Sequence, residues 1–213
     1  MKITKFGQCC LLIEVAGKRI LTDPGKFSVS QNEVTAIDLI LITHEHADHL
    51  HSESLEAILA KSPAAKVVTN TSVGKVLTEL GVTYEILEGR DSGEHAGILV
   101  EAYDGKHAEI FEEYGQVQNT GYFIAEELFY PGDAYTEPEK DVPILALPVA
   151  GPWCKSADAI RYALAVKPKK AFPVHDWLIN ADGVALTYGL FGAQLKAHEI
   201  EFIELQNDET REF

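Results

Sequence analysis

The chain has 213 residues, of which 46% are hydrophobic and 24% are charged, so it is expected to fold as one globular domain spanning residues 1–213. Its formal net charge of −15 excludes nucleic acid as an expected partner, because a phosphate backbone is bound by clustered Lys and Arg residues. No apolar run approaches the roughly 18 residues that span a bilayer, so no membrane association is expected either.

Three short strand-like runs open the chain, over residues 2–6, 10–15 and 18–22. The third run ends at the turn Asp23-Pro24-Gly25. Two interpretations of the Asp23 side chain stay open at this point. Its carboxylate either hydrogen-bonds a histidine that ligates a metal, or it only stabilises the turn.

A histidine-rich motif follows the apolar run at residues 37–42, which is typical of a buried strand. In an extended segment His44 and His46 project to the same side, so both imidazoles can reach one ion. Asp48 and His49 lie slightly further on and can point at a second position nearby. Because imidazole and carboxylate suit zinc and its first-row neighbours, the motif predicts a metal site rather than a merely polar loop.

This motif resembles the signature of the metallo-β-lactamase superfamily. The segment Tyr130-Pro131-Gly132-Asp133 is similar to the family's bridging-aspartate motif, and Pro173-Val174-His175 is similar to the segment that carries its last histidine. The nearest match is the small metal-dependent hydrolase branch, which includes the ascorbate-6-phosphate lactonase-like proteins. The resemblance implies an α/β fold in the form of a four-layer αββα sandwich, with two mixed sheets flanked by helices.

The middle of the chain alternates strands and helices, which favours a layered α/β fold. We expect a helix from Ser52, a second helix from Thr71 or Ser72, and strands at residues 66–69, 83–87 and 97–103. His107 is the predicted third histidine of the first metal group, because it follows a strand that ends at the turn Asp104-Gly105. His95 precedes that strand and should lie at its opposite end. His51, His95 and His198 are interpreted as histidines outside the ligand set.

The last third of the chain supplies the remaining candidates. A hairpin is expected over residues 121–130, and a strand at residues 170–174 delivers His175. A helix is predicted over residues 182–197, with an apolar stripe formed by Val184, Leu186, Leu190, Phe191 and Leu195. A final strand over residues 200–205 is expected to precede a frayed acidic tail. Trp153 either lines the substrate pocket or lies at the edge of the core.

The resemblance implies a ligand set for two divalent metal ions, most simply zinc, with manganese or iron as alternatives. The first group consists of His44, His46 and His107. The second consists of Asp48, His49 and His175, and Asp133 bridges the two. The implied activity is hydrolysis by a metal-bridged hydroxide. Asp48 is expected to orient that hydroxide, and His175 is a candidate proton donor to the leaving group.

No motif in the sequence identifies the substrate. A small-molecule lactone, phosphoester or phosphodiester is the leading expectation. A thioester or cyclic-nucleotide hydrolase and a metal-binding sensor or scaffold without turnover are the alternatives. The three cysteines form no disulfide framework and the first residues show no signal peptide, which predicts a cytoplasmic location. The oligomeric state stays open, a homo-oligomer included.

Overall fold

The computed structural model describes every residue from Met1 to Phe213, and its strands form two seven-stranded sheets. The strands of the first sheet are β1 (Lys2–Gly7), β2 (Cys10–Val15), β3 (Lys18–Thr22), β4 (Leu39–Leu41), β5 (Lys66–Thr69), β6 (Glu85–Ile86) and β14 (Glu209–Glu212). They are arranged in the order β14-β1-β2-β3-β4-β5-β6. The strands from β3 to β6 are parallel, whereas β14, β1, β2 and β3 are joined by antiparallel pairing.

The second sheet is also mixed. Its strands are β7 (Ser92–His95), β8 (Ile98–Lys106), β9 (Gln118–Ile124), β10 (Leu128–Tyr130), β11 (Ile144–Pro148), β12 (Lys170–Val174) and β13 (Glu201–Phe202). The order is β13-β12-β11-β10-β9-β8-β7. Pairing is parallel from β10 to β13 and antiparallel from β7 to β10.

Helices cover the outer face of each sheet. The helices are α1 (Ser52–Lys61), α2 (Thr71–Glu79), α3 (Ser156–Val166) and α4 (Ala181–Lys196), with a short 3-10 helix at Ser30–Glu33. One apolar cluster joins α1 and α2 to the first sheet, and a second joins α3 and α4 to the other sheet. A third cluster lies between the sheets, so the predicted four-layer αββα sandwich is confirmed. None of these helices has the length and apolarity needed to cross a bilayer.

Three local predictions were wrong. The C-terminal tail does not fray, because β14 pairs antiparallel with β1. The expected turn at residues 104–105 is absent, and β8 continues through it to Lys106 because it pairs with β9 along its full length. Two members of the predicted stripe, Leu186 and Leu190, lie exposed on α4, whereas Phe191 and Leu195 are buried as predicted and are joined by Tyr188.

The direction of the strands determines where polar side chains gather. Strands β1, β3, β4 and β5 run in the same direction, as do β8, β10, β11 and β12. In open α/β sheets, the carboxyl ends of such strands form the crevice where ligands bind. Every predicted site residue follows one of these ends. The two sheets therefore present their candidate side chains at one common edge.

A buried ion pair connects the two sheets beneath that edge. Lys5 on β1 is fully buried, and its Nζ donates to Asp176 Oδ2 at 2.5 Å. Tyr188 on α4 donates its hydroxyl to the same oxygen. Asp176 directly follows His175, so this pair fixes the backbone that carries a candidate ligand. A buried pair contributes position rather than much net stability, because desolvation of both charges opposes their attraction.

Replacing one partner of this pair should be strongly destabilising. In Lys5→Met the carboxylate of Asp176 stays buried without its counter-charge, which costs about 3–5 kcal/mol. Urea denaturation measures the loss. Lys2→Met is the matched control, since Lys2 lies on the same strand but its pair with Glu14 is solvent-exposed and worth about 0–1 kcal/mol. Equal losses in the two variants would contradict the role assigned to the buried pair.

Candidate metal centre

Three imidazoles form the first group of the candidate site. His44 and His46 follow β4 in the first sheet, and His107 follows β8 in the second. Their ring centroids lie 4.6–5.1 Å apart, and one nitrogen from each ring falls within 4.8 Å of the others. The group thus draws its members from both sheets, and its nitrogens converge on a space the size of one ion.

A second group lies beside the first. It contains His49 from the loop after β4, Asp133 after β10 and His175 after β12, together with the thiol of Cys9 from the turn between β1 and β2. All their potential ligand atoms lie within 4.8 Å of one another. Asp48 borders the group, with its Oδ2 at 3.3 Å from His175 Nε2 and 3.6 Å from His49 Nε2.

The carboxylate of Asp133 lies between the two groups. Its Oδ2 is 3.3 Å from His107 Nε2 and 4.0 Å from His44 Nε2, while its Oδ1 is 3.1 Å from His49 Nε2. Asn119 accepts a hydrogen bond from the Asp133 backbone amide at 2.9 Å. The preceding Gly132 has a φ of +64°, and a Cβ there would lie 2.3 Å from Asn119 Oδ1. Only glycine therefore allows this approach.

The donor atoms are arranged to bind a cation, because they do not satisfy one another through hydrogen bonds. His44 Nε2, His49 Nε2, His175 Nε2 and Asp133 Oδ1 are buried and have no hydrogen-bond partner. Native proteins rarely leave such atoms unsatisfied, because each costs about 1–3 kcal/mol. The short distance between His49 and Asp133 lacks hydrogen-bond geometry. Nitrogen and oxygen donors of this kind could hold first-row divalent ions.

The electrostatics of the two groups differ. Burial alone would raise the pKa of Asp133, but the adjacent His175 and His49 outweigh it and hold that pKa well below its ordinary value. Burial opposes protonation of His49 and His175, yet the Asp133 carboxylate outweighs it and raises the pKa of both. Burial and the neighbouring imidazoles lower the pKa of His44 and His46. His44 and His46 are thus favoured in the neutral form that ligates a metal, and the second group attracts positive charge.

The side chain of Asp23 contacts a histidine of the site, which decides between its two interpretations. Its Oδ2 accepts from His49 Nδ1 at 2.7 Å and from Thr43 Oγ1 at 2.7 Å, and its Oδ1 accepts from the Thr43 amide at 2.8 Å. Tyr130 also donates its hydroxyl to Oδ2. The carboxylate is fully buried and fixes His49 with Nε2 turned towards the site. Histidines that ligate metals are commonly oriented by such a second interaction.

Gln8 and Trp153 hold the two acidic side chains in place. Gln8 Nε2 donates to Asp48 Oδ2 at 2.9 Å, and the Gln8 carbonyl accepts from the His175 amide at 2.8 Å. Trp153 Nε1 donates to Asp133 Oδ2 at 3.1 Å, which settles its placement at the site rather than only at the edge of the core. Each acidic side chain therefore keeps one oxygen bonded to a neutral donor.

The structure brings together all the predicted site residues: His44, His46, Asp48, His49, His107, Asp133 and His175. It keeps His95 away, on β7, where its Nδ1 bonds Glu85 at 2.7 Å. Sequence reasoning missed Cys9 and Gln8. Both follow β1, whose carboxyl end lies at the same edge as the other strands, so the position after that strand was the signal that could have revealed them.

Comparison with known proteins gives consistent matches. The Beta-lactamase superfamily domain matches residues 2–175. Protein Rv0786c of Mycobacterium tuberculosis is 34% identical over 194 residues, covering 89% of this chain and 90% of the relative. A UPF0173 metal-dependent hydrolase of Polynucleobacter asymbioticus is 27% identical, covering 98% of this chain and 85% of the relative. A solved Parabacteroides distasonis structure superposes with a TM-score of 0.77 at 24% identity, covering 96% and 93%, and supports the fold alone.

The turn after β3 packs directly on the histidine-rich loop. Lys26 donates its amide to the Ala47 carbonyl at 2.8 Å, and His51 donates to the Pro24 carbonyl at 3.2 Å. A Cβ on Gly25 would lie 1.8 Å from the Asp48 carbonyl oxygen. The absence of a side chain at Gly25 therefore allows the turn to touch the loop that carries four candidate ligands.

Gly25→Ala should displace this loop. The added methyl group meets backbone rather than a movable side chain, so we expect a loss of about 1–3 kcal/mol in the free energy of unfolding. Gly189→Ala is the control, because Gly189 lies on an exposed turn of α4 with nothing within 4 Å of its built Cβ. That change should stabilise the helix by roughly 0.5–1 kcal/mol. A Gly25→Ala protein as stable as the parent in urea would refute the close approach.

Proposed function

The chain belongs to the Beta-lactamase superfamily, and from this premise we propose that it is a metal-dependent hydrolase that uses two divalent ions to cleave a small-molecule lactone or phosphoester. The observation that carries the proposal is the position of Asp133. Its Oδ2 lies 3.3 Å from His107 Nε2 of the first group and 2.9 Å from His175 Nε2 of the second, and its Oδ1 lies 3.1 Å from His49 Nε2. One carboxylate between two such groups is suited to ligate two cations at once.

The first ion would be held by His44, His46 and His107, and the second by Asp48, His49 and His175, with Asp133 shared. When bound, a pair of divalent ions supplies hydroxide at neutral pH and stabilises the negative charge that develops on the substrate. Zinc suits the imidazole-rich donor set, and manganese or iron is compatible with it. The buried nitrogens without partners support this assignment.

Asp48 and His175 are the proposed catalytic residues. Asp48 is part-exposed at the site, and Gln8 bonds its Oδ2. From this position its carboxylate can accept a hydrogen bond from the attacking oxygen and orient it. His175 lies next to Asp48, and because its Nε2 would bind the second ion, its Nδ1–H is the group from which a proton could pass to the leaving oxygen. Gln8 and Asp23 act as positioning residues, because each touches a proposed ligand rather than the reacting atoms.

Apolar side chains beside the site support a substrate with an uncharged part. Trp177 follows His175 by two residues, stacks on Phe27 with centroids 4.1 Å apart, and is 49% exposed. The neighbouring Leu178 is 53% exposed. Exposed aromatic and aliphatic groups next to a polar centre are typical of ligand-binding surfaces. A lactone ring or the organic group of an ester would pack against them.

The proposed function is tested by metal content together with turnover. Protein purified without chelators should contain about two equivalents of metal and should hydrolyse members of a panel of lactones, aryl esters and bis(p-nitrophenyl) phosphate. In His46→Ala we expect the metal content to fall and hydrolysis to be lost. His198→Ala, which changes an exposed histidine far along the chain from the motif, should leave both unchanged. Full metal loading with no turnover across the panel would contradict catalysis.

Asp23→Asn should weaken metal binding without removing a proposed ligand. The amide no longer offers a charged acceptor to His49 Nδ1, so the affinity for zinc should fall about 10–100-fold. Competition with a chromophoric chelator measures the affinity. Asp38→Asn is the control, since Asp38 precedes β4 at the opposite end from the site and binds Arg19 and Lys18. Unchanged zinc affinity in Asp23→Asn would argue against its positioning role.

A further inference from the structure

The side chain of Cys9 is part of the second group of donor atoms. Its Sγ, one nitrogen each from His49 and His175 and an oxygen from Asp133 all lie within 4.8 Å of one another. Cys9 is 1% exposed and forms no disulfide. A thiol so enclosed cannot be explained as a solvent-exposed nucleophile. Its position points instead to the space in which the second ion would be bound.

The atoms that surround the thiol need a partner. His49 Nε2, His175 Nε2 and Asp133 Oδ1 are buried and have no hydrogen-bond partner. These three residues are at most 2% exposed, so bulk water does not satisfy the three atoms. A single cation among the four residues would satisfy all three atoms. The sulfur lies within the same small volume, so it would reach that cation without a rearrangement of the backbone.

The backbone of Cys9 is held firmly in this place. Its carbonyl accepts from Thr22 Oγ1 at 3.0 Å and from the Tyr130 hydroxyl at 3.4 Å. Tyr130 also bonds Asp23, which in turn orients His49. One hydrogen-bonded network therefore sets the positions of both the thiol and a proposed imidazole ligand. Such support by neighbouring groups is what preorganises a metal site.

Asp48 occupies a different environment from Cys9. The Asp48 side chain is 19% exposed, and its Oδ2 already accepts a hydrogen bond from Gln8. The thiol is more deeply enclosed, and its sulfur belongs to the set of donor atoms of His49, His175 and Asp133 that lie within 4.8 Å of one another. The thiol of Cys9 is therefore a further potential donor in the second group, in addition to the two histidines and the carboxylates of Asp48 and Asp133.

We propose that Cys9 Sγ is a direct ligand of the second metal ion, alongside His49, His175 and Asp133. This inference rests on the proposed function and deepens it. The thiol would bind as thiolate, its proton passing to solvent when the ion enters. A soft sulfur donor favours zinc or cobalt over manganese or magnesium, whose preferred ligands are oxygen atoms. The second position would therefore be the one that discriminates among metals.

Cys10, the first residue of β2, provides a matched control beside Cys9. Successive residues of a strand point to opposite faces, and Cys10 packs with Leu12 and Leu21 in the cluster beneath the helices of the first sheet. It is as buried as Cys9 but contacts no candidate ligand group. Cys154 lies elsewhere, where its sulfur accepts from the Tyr135 hydroxyl at 3.3 Å. Replacement of either residue leaves the proposed sulfur ligand intact.

Cobalt spectroscopy tests the inference without relying on activity. Protein stripped with a chelator is reloaded with Co²⁺, and its absorption is recorded in the visible and near-ultraviolet. We expect visible cobalt bands together with a near-ultraviolet thiolate-to-cobalt charge-transfer band. Cys9→Ser should lose the charge-transfer band and keep visible bands from the remaining donors. Cys10→Ser should retain both.

The possible failures are distinguishable. Visible cobalt bands without a charge-transfer band in the parent protein, or a charge-transfer band that persists in Cys9→Ser, would overturn the role of Cys9 and leave the metal-dependent hydrolase standing. Absence of both bands in the parent would overturn the metal site itself. If Cys9→Ser fails to fold, the Cys10→Ser/Cys154→Ser double variant decides. With Cys9 as its only cysteine it should keep the full charge-transfer band, and loss of that band would overturn the inference.

Discussion

The fully buried carboxylate of Asp23 accepts hydrogen bonds from three residues in two separate parts of the chain. Thr43 and His49 donate from the loop after β4, and Tyr130 donates from the end of β10 in the other sheet. A buried charge is tolerable only when its acceptor capacity is filled in this way. The same bonds that satisfy the carboxylate therefore fix the loop, the imidazole and the distance between the two sheets at the site.

This requirement links stability to chemistry. The first sheet contributes His44, His46 and His49, and the second contributes His107, Asp133 and His175, so the donor set exists only when the sheets are packed together. Without a ligand, the buried polar atoms that lack hydrogen-bond partners destabilise the fold. A ligand that binds only the native state adds its binding free energy to stability. Metal binding and the packing of the sheets should consequently reinforce each other.

Much of the candidate site could be predicted because its residues follow strand ends. The spacing of His44, His46, Asp48 and His49 identifies the motif from local sequence alone. The choice of His107 over His95 needed only the direction of one strand, although the turn assumed before His107 does not exist. Local reasoning failed where pairing is non-local. The strand β14 pairs with β1, which lies about two hundred positions away in sequence. A pattern of only four residues cannot show which distant strand it will pair with.

Cys9 shows why donor sets are only partly readable from sequence. The spacing of the histidines identifies them as candidate ligands because they are rare and clustered. From sequence alone, the two adjacent cysteines are considered only as possible disulfide partners and not as metal ligands. The two thiols differ because Cys10 opens β2, whose alternation directs it towards the helices together with Leu12, whereas Cys9 lies in the preceding turn and joins the cluster between the sheets. The position of Cys9 therefore depends on the conformation of that turn, in which Gln8 has a φ of +38°. The turn thus decides which sulfur meets the metal site, and no periodicity in the sequence identifies its conformation.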